Sequence, residues 1–183
     1  GQGDAVFTTP FTYVATAEVI SILGATPIFV DVYDSTFNID CEKLEIEINK
    51  VIEEGELKPK AIIPVDLFGL PARYRLIDKI AKKYNLKVIE DAAQSFGGSI
   101  RNKRVGTFGD VAATSFYPAK PLGCYGDGGA IFTNDDSLAE KIRMIVNHGE
   151  KNKYHHEIVG CNSRLDSIQA EILNIKLKYL DCY

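Results

Sequence analysis

An α/β fold with a mostly parallel central sheet and helices on both faces is predicted from three observations. Short apolar runs rich in β-branched residues alternate along the chain with stretches of helical periodicity, the pattern of strands joined by helical crossovers. Gly, Pro and Asn punctuate the changes from one to the other. No repeat, low-complexity tract or linker interrupts the series, so residues 1–183 read as one domain or most of one.

The elements follow in order. A first strand, Ala5 to Thr8, leads through Pro10 to a helix from Tyr13 to Leu23, with Thr12 as its N-cap and Gly24 as its stop. Thr26 to Val30 is the next strand. Asp40 caps a helix from Cys41 to about Glu53, because a carboxylate there can accept the unpaired amides of a first helical turn. Gly55 and Pro59 mark the break before a strand over Ala61 to Val65, and Pro64, which has no amide to donate, argues for that strand's end. Ala72 to Tyr84 is helical and Asn85 closes it. Lys87 to Glu90 is a short buried strand whose carboxyl end carries Asp91. Val111 to Ser115 and Ala130 to Thr133 are two further strands, and the loop between them holds Lys120 and four glycines, Gly123, Gly126, Gly128 and Gly129. A helix from Ser137 to about Val146 and a last one from near Leu165, still running at Tyr179, complete the series.

Composition narrows the function. With 45% hydrophobic and 25% charged residues the chain can bury a core, and a net charge of -4 without a basic block leaves no footprint for nucleic acid or an anionic membrane. The cysteines (Cys41, Cys124, Cys161, Cys182) are widely spaced, with no C-x-x-C pair and no secretory leader pattern, so a reduced, cytoplasmic setting is expected. No apolar run approaches membrane-spanning length. His148, His155 and His156 lack the spaced partners of a zinc site, so no metal is expected. Neither a dinucleotide fingerprint nor a G-x-x-x-x-G-K-[ST] loop occurs. The chain opens directly before a strand and stops inside a helix, which points to an internal piece of a longer polypeptide.

The chemistry concentrates in two stretches, Glu90-Asp91-Ala92-Ala93-Gln94 and Ser115-Phe116-Tyr117-Pro118-Ala119-Lys120-Pro121-Leu122-Gly123. A pyridoxal 5'-phosphate (PLP) enzyme needs a lysine amine to condense with the cofactor aldehyde and a carboxylate to keep the pyridine nitrogen protonated. Lys120 and Asp91 can be those groups, and Asp91 stands where open parallel sheets place ligands. Pro118 and Pro121 stiffen the backbone around Lys120. Gln94 could reach the ring hydroxyl, Ser115 the phosphate, and Tyr13 could stack on the ring. Singly, each has an ordinary reading: a solvated loop lysine, a helix N-cap, a surface amide, a turn serine, a core tyrosine.

Jointly, these stretches, continued by Cys124-Tyr125-Gly126-Asp127-Gly128-Gly129 and preceded by Gly3-Asp4-Ala5-Val6 and Pro10-Phe11-Thr12-Tyr13-Val14-Ala15-Thr16, resemble the DegT/DnrJ/EryC1/StrS family of nucleotide-sugar aminotransferases. The resemblance covers essentially the whole chain. It implies the large domain of PLP fold type I, with the phosphate-loop segment and the small domain lying outside residues 1–183. It also implies Lys120 as the Schiff-base lysine, Asp91 on the pyridinium, Gln94 at the ring hydroxyl, Ser115 on the phosphate and Tyr13 stacked on the ring. Asn162 matches an asparagine that relatives extend across a homodimer interface to the neighbouring phosphate. Independently, Ser163 with Asp166 reads as a capping box for the last helix.

The family further implies L-glutamate as amino donor, a nucleotide-linked keto sugar as acceptor, and a role in lipopolysaccharide or other polysaccharide synthesis. Lys120 separates this chain from related dehydratases, which have histidine there. The wording around Lys120 and the His155-His156 pair resemble most the branch acting at C3 of UDP-2-acetamido-2-deoxy-3-oxo-glucuronate. The alternatives are a 4-keto-6-deoxy sugar aminotransferase and a non-catalytic PLP-binding regulator. Arg73-Tyr74-Arg75 departs from the acidic residues common in relatives, with altered surface or interface contacts as the expected result.

Overall fold

The computed structural model describes residues 1–182. In chain order it contains β1 (Asp4–Thr8), α1 (Ala15–Ile22), β2 (Thr26–Phe29), α2 (Cys41–Glu54), β3 (Lys58–Ile62), α3 (Tyr74–Tyr84), β4 (Lys87–Asp91), β5 (Ser99–Ile100), β6 (Lys103–Arg104), β7 (Val111–Ser115), β8 (Gly129–Phe132), α4 (Asp136–Ile145), β9 (Glu150–Asn152), β10 (His155–His156) and α5 (Ser167–Leu177). Six strands form one sheet in the order β2-β1-β3-β4-β7-β8. Every pairing in it is parallel except β7 with β8, where the chain doubles back through a loop with no crossover helix. The fold is therefore α/β with a mostly parallel sheet.

Helical spacing decides which side chains are buried. α2 buries Cys41, Leu44, Ile48 and Val51, and α3 buries Tyr74, Ile77, Ile80 and Ala81, each set recurring every three or four residues. Both stripes join Phe7, Val30, Ile39, Ile62 and Val88 in the main core. A second, smaller core gathers Phe116, Leu122 and Cys124 under Leu173 of α5. That smaller core carries the loop of Lys120.

The cap signals hold for α2 and α3. Asp40 accepts the amides of Glu42 (2.8 Å) and Lys43 (3.2 Å), and Gly55 and Asn85 end the two helices in the left-handed conformation at φ +70° and +53°. α3 starts at Tyr74, two residues after the expected Ala72.

Elsewhere local signals gave way to longer contacts. α1 starts at Ala15, and Thr12 caps nothing: its hydroxyl lies 3.3 Å from that of Thr16. β3 runs over Lys58–Ile62 and contains Pro59, which the expected strand excluded; the proline sits where the β1 register shifts between Ala5 and Val6. Pro64 falls beyond the strand and its carbonyl accepts the Asp91 amide at 3.0 Å. β8 begins one residue earlier than expected, and α4 spans Asp136–Ile145 with Asp135 as N-cap. The capping box is not formed. Asp166 alone caps α5, accepting the Gln169 amide at 2.9 Å, while the Ser163 amide donates to Val146. α5 ends at Leu177 and a 3₁₀ turn over Leu180–Cys182 follows it.

Two hairpins had no sequence signal. β5–β6 turns through Arg101 (φ +47°) and Asn102 (φ +67°), the paired positive angles of a tight hairpin. β9–β10 places His155 and His156 on a strand where a loop was expected. Strands of two or three residues are too short to show alternation. Among the described residues no helix is long and apolar enough to cross a membrane, no group of side chains could hold a metal ion, and the cysteines are free.

Candidate active site

A cleft of about 1200 Å³ opens at the carboxyl ends of the strands, and Tyr13, Thr16, Asp91, Gln94, Ser115 and Lys120 all line it. Five of these are site residues expected from the sequence; Thr16 is not among those expected.

Asp91 ends β4, where strand alternation turns its neighbour Glu90 to the other side. One carboxylate oxygen accepts the Thr16 hydroxyl at 2.7 Å and the other accepts the Ala93 amide at 3.1 Å. No α-helix follows, so the N-cap reading of Asp91 does not apply. Thr16 is buried and reaches Asp91 from 75 positions away in sequence. It stands in the quoted Pro10–Thr16 stretch, but no local pattern distinguishes its hydroxyl from that of Thr12.

Gln94 accepts the Phe68 amide through its side-chain oxygen at 2.8 Å, which leaves its NH₂ to donate to a ligand. Phe68 is held at φ +56°, beside Gly69 at +84°. Ser115 ends β7, and its oxygen accepts the Tyr117 amide at 3.2 Å while its O–H remains free to donate. Tyr13 is 72% exposed at the cleft, so it is not a core residue.

Lys120 is half-buried, and its backbone amide closes a turn onto the Tyr117 carbonyl at 2.9 Å. Its ammonium joins none of the ion pairs found among the described residues. The loop around it is held from below. The Phe116 amide donates to the Gly128 carbonyl at 2.7 Å, and the Cys124 amide donates to the Phe116 carbonyl at 2.8 Å. From α5, Lys176 donates to the Gly123 carbonyl and Gln169 accepts the Tyr125 amide.

Gly123 is required by close approach. A Cβ there would stand 2.5 Å from the Pro118 carbonyl oxygen and 2.8 Å from that of Tyr117, and backbone cannot step aside as a side chain can. Gly123→Ala is therefore expected to open the turn bearing Lys120 and to cost about 1–3 kcal/mol. Thermal unfolding of the full-length variant checks this; an unchanged Tm contradicts it.

Asn162 lies outside the cleft of its own chain. It is exposed, and its side-chain oxygen accepts from Arg164 Nε at 2.7 Å. The Arg73-Tyr74-Arg75 departure divides in two. Arg73 and Arg75 are exposed, with the Arg73 guanidinium 4.1 Å above the Tyr33 ring, whereas Tyr74 is core and stacks on Phe108 at 4.4 Å. The expected surface effect does not extend to Tyr74.

The cleft fits PLP by its donor set. A carboxylate with both oxygens accepting, an unpaired lysine amine, a free amide NH₂ and a hydroxyl face one space whose walls include the small side chains Ala15, Ala93 and Ala113. Such a volume is ample for a cofactor with part of its substrate.

Residues 1–183 match the family model of the DegT/DnrJ/EryC1/StrS aminotransferase family. The chain is 54% identical over 181 residues to the UDP-2-acetamido-2-deoxy-3-oxo-D-glucuronate aminotransferase of Pseudomonas aeruginosa, covering 99% of this chain and 48% of that protein. It is 51% identical to the pleiotropic regulatory protein of Geobacillus stearothermophilus, covering 99% and 47%. A crystal structure of a DegT/DnrJ/EryC1/StrS aminotransferase from Brucella abortus superposes with a TM-score of 0.98 at 55% identity, covering all of this chain and 49% of that one. The chain thus spans about half the length of the curated relatives it matches.

Proposed function

The chain belongs to the DegT/DnrJ/EryC1/StrS aminotransferase family, and we propose that it forms the cofactor-binding part of a PLP-dependent nucleotide-sugar aminotransferase. One observation carries the reading: Asp91 and Lys120, 29 positions apart, line one cleft at the carboxyl ends of the strands. When bound, PLP supplies an aldehyde that condenses with amines and a ring that accepts electrons.

The chain's residues do the rest. Lys120 Nζ is the group that takes the proton from the nitrogen-bearing carbon and returns it. Asp91, oriented by Thr16 and Ala93, holds the ring N–H with a charge-assisted bond. Gln94 donates to the ring hydroxyl, Ser115 to the phosphate, and Tyr13 covers one ring face. Asn162, which does not line its own cleft, is assigned to the neighbouring subunit of a homodimer, so each site is built from two chains.

L-glutamate is the proposed donor and UDP-2-acetamido-2-deoxy-3-oxo-glucuronate, aminated at C3, the proposed acceptor, by analogy with the Pseudomonas relative. The setting is cytoplasmic synthesis of lipopolysaccharide or another polysaccharide. To test this, full-length protein, PLP and glutamate are incubated with that sugar or with a 4-keto-6-deoxy nucleotide sugar, and 2-oxoglutarate is measured. Release in excess of the enzyme present only with the 3-oxo sugar supports the assignment; such turnover only with the 4-keto sugar transfers it to the other branch. The Geobacillus relative favours a second reading, a regulator that holds cofactor without turnover. No release beyond the enzyme present with any keto sugar, in protein that binds PLP, would select it.

A further inference from the structure

Behind the Asp91 wall lies a group of ionisable side chains that the proposed chemistry does not use. Asp66 and Glu90 are both 0% exposed. Glu90 accepts the amides of Gly106 (2.7 Å) and Phe108 (2.8 Å), one on each oxygen. Asp66 accepts the Ala72 amide and the Tyr74 hydroxyl, both at 2.8 Å, on one oxygen and the Ser95 hydroxyl at 3.1 Å on the other. The parallel bridge of Val65 to Asp91 lays the two segments side by side, and alternation turns the Asp66 and Glu90 side chains to the same buried face. Carboxylates have only acceptors, so two of them brought together away from water and without a cation call for a proton between them.

The backbone gives this pair its reach. The Asp66 amide donates to the Asp91 carbonyl at 3.0 Å, and the Asp91 amide donates to Pro64 at 3.0 Å. Two residues on, the Phe68 amide holds the Gln94 side chain. Segment 64–68 therefore grips both ends of segment 91–95, and Asp66 does so with main chain and side chain together.

We infer that Asp66 is a positioning residue for the Asp91–Gln94 segment, and that the single proton it shares with Glu90 makes its grip pH-dependent. The inference rests on the reading of Asp91 and Gln94 as cofactor contacts. Of titratable groups, Tyr74 from α3 and Glu90 from β4 face Asp66; Asp66 and the amides of loop 105–108 face Glu90; Asp91 turns its carboxylate to Thr16. Among the described residues no lysine, arginine or histidine forms an ion pair with either carboxyl.

Burial pushes Asp66 up from 3.8 to about 6 and Glu90 up from 4.5 to about 7. The folded chain thus keeps a proton that the unfolded chain releases. The stability tied to that proton is full below the unfolded values and is lost as pH rises through about 7. An asparagine at 66 keeps the acceptor for Ala72 and Tyr74 and offers Glu90 a permanent N–H in place of the shared proton.

The test compares full-length wild type, Asp66→Asn and Asp66→Ala. Two quantities are followed from about pH 6 to about pH 8.5: affinity for pyridoxamine 5'-phosphate, whose binding needs no bond to Lys120, and the Tm without cofactor. Wild type is expected to lose about tenfold more affinity across that range than Asp66→Asn, and to show a falling Tm where Asp66→Asn is flat. Asp66→Ala is expected to bind at least about tenfold more weakly throughout. Equal pH slopes for wild type and Asp66→Asn would overturn the inference, as would a folded Asp66→Ala that binds like wild type. If Asp66→Ala does not fold, the first comparison decides. If wild type binds no cofactor at any pH, the functional reading falls and the positioning role with it, while the Tm comparison still judges the shared proton.

Discussion

Lys120→Ala in the full-length protein is expected to lower aminotransfer by about 10⁴-fold or more. The size follows from two jobs resting on one amine, covalent attachment of the cofactor and proton transfer at the reacting carbon. Nothing else in the cleft substitutes for it. Among the residues lining the cleft, Lys120 is the one cationic side chain. The fold has little to lose, because the turn around Lys120 is closed by backbone and by α5, and the ammonium joins none of the ion pairs among the described residues. Stability should therefore stay within about 0.5 kcal/mol of wild type. Initial rates and thermal unfolding measured on the same preparation check both halves. A variant that keeps more than a tenth of wild-type turnover would contradict the role.

Asp91→Asn is expected to lower turnover by about 10²–10³-fold, the usual cost of removing one preorganised electrostatic partner from a site where charge develops. Asparagine preserves shape and can still accept from the Ala93 amide, while the Thr16 hydroxyl can turn and accept from the new NH₂. What disappears is the negative charge. Cofactor affinity should weaken as well, by about 1.5–3 kcal/mol, the range for a hydrogen bond to a charged group. Equilibrium binding and kcat, determined separately, distinguish this from misfolding. Loss of affinity with full turnover at saturating cofactor would show that Asp91 holds the ring without tuning it.

The parts of the fold that could be read from the sequence are those specified by neighbours in the chain. α2 and α3 show their buried stripes and carry Asp40, Gly55 and Asn85 as end signals, all of which act locally. β4 and β7 are compact apolar runs, and Asp91 and Ser115 stand at their ends. Tyr13, Gln94 and Lys120 also came from motif wording, and all reach the cleft. The residues that were missed act over distance. Thr12 has the better local claim to a cap, yet Thr16 is the threonine that meets Asp91. Asp66 gives no sign in sequence that its amide and carboxyl will brace residues 91 to 95. Pro59 would break an isolated strand, but a register shift in β1 accommodates it. Ser163 matched a capping pattern and lost the position to Asp166, whose side chain reaches the Gln169 amide.

The most direct test asks where vitamin B6 attaches. Full-length protein is incubated with PLP, treated with borohydride to make any lysine linkage permanent, digested and mapped by mass spectrometry. The added cofactor mass is expected on the peptide containing Lys120, and is expected to be absent from that peptide in Lys120→Ala. Cofactor mass on another lysine, or on none, would contradict it.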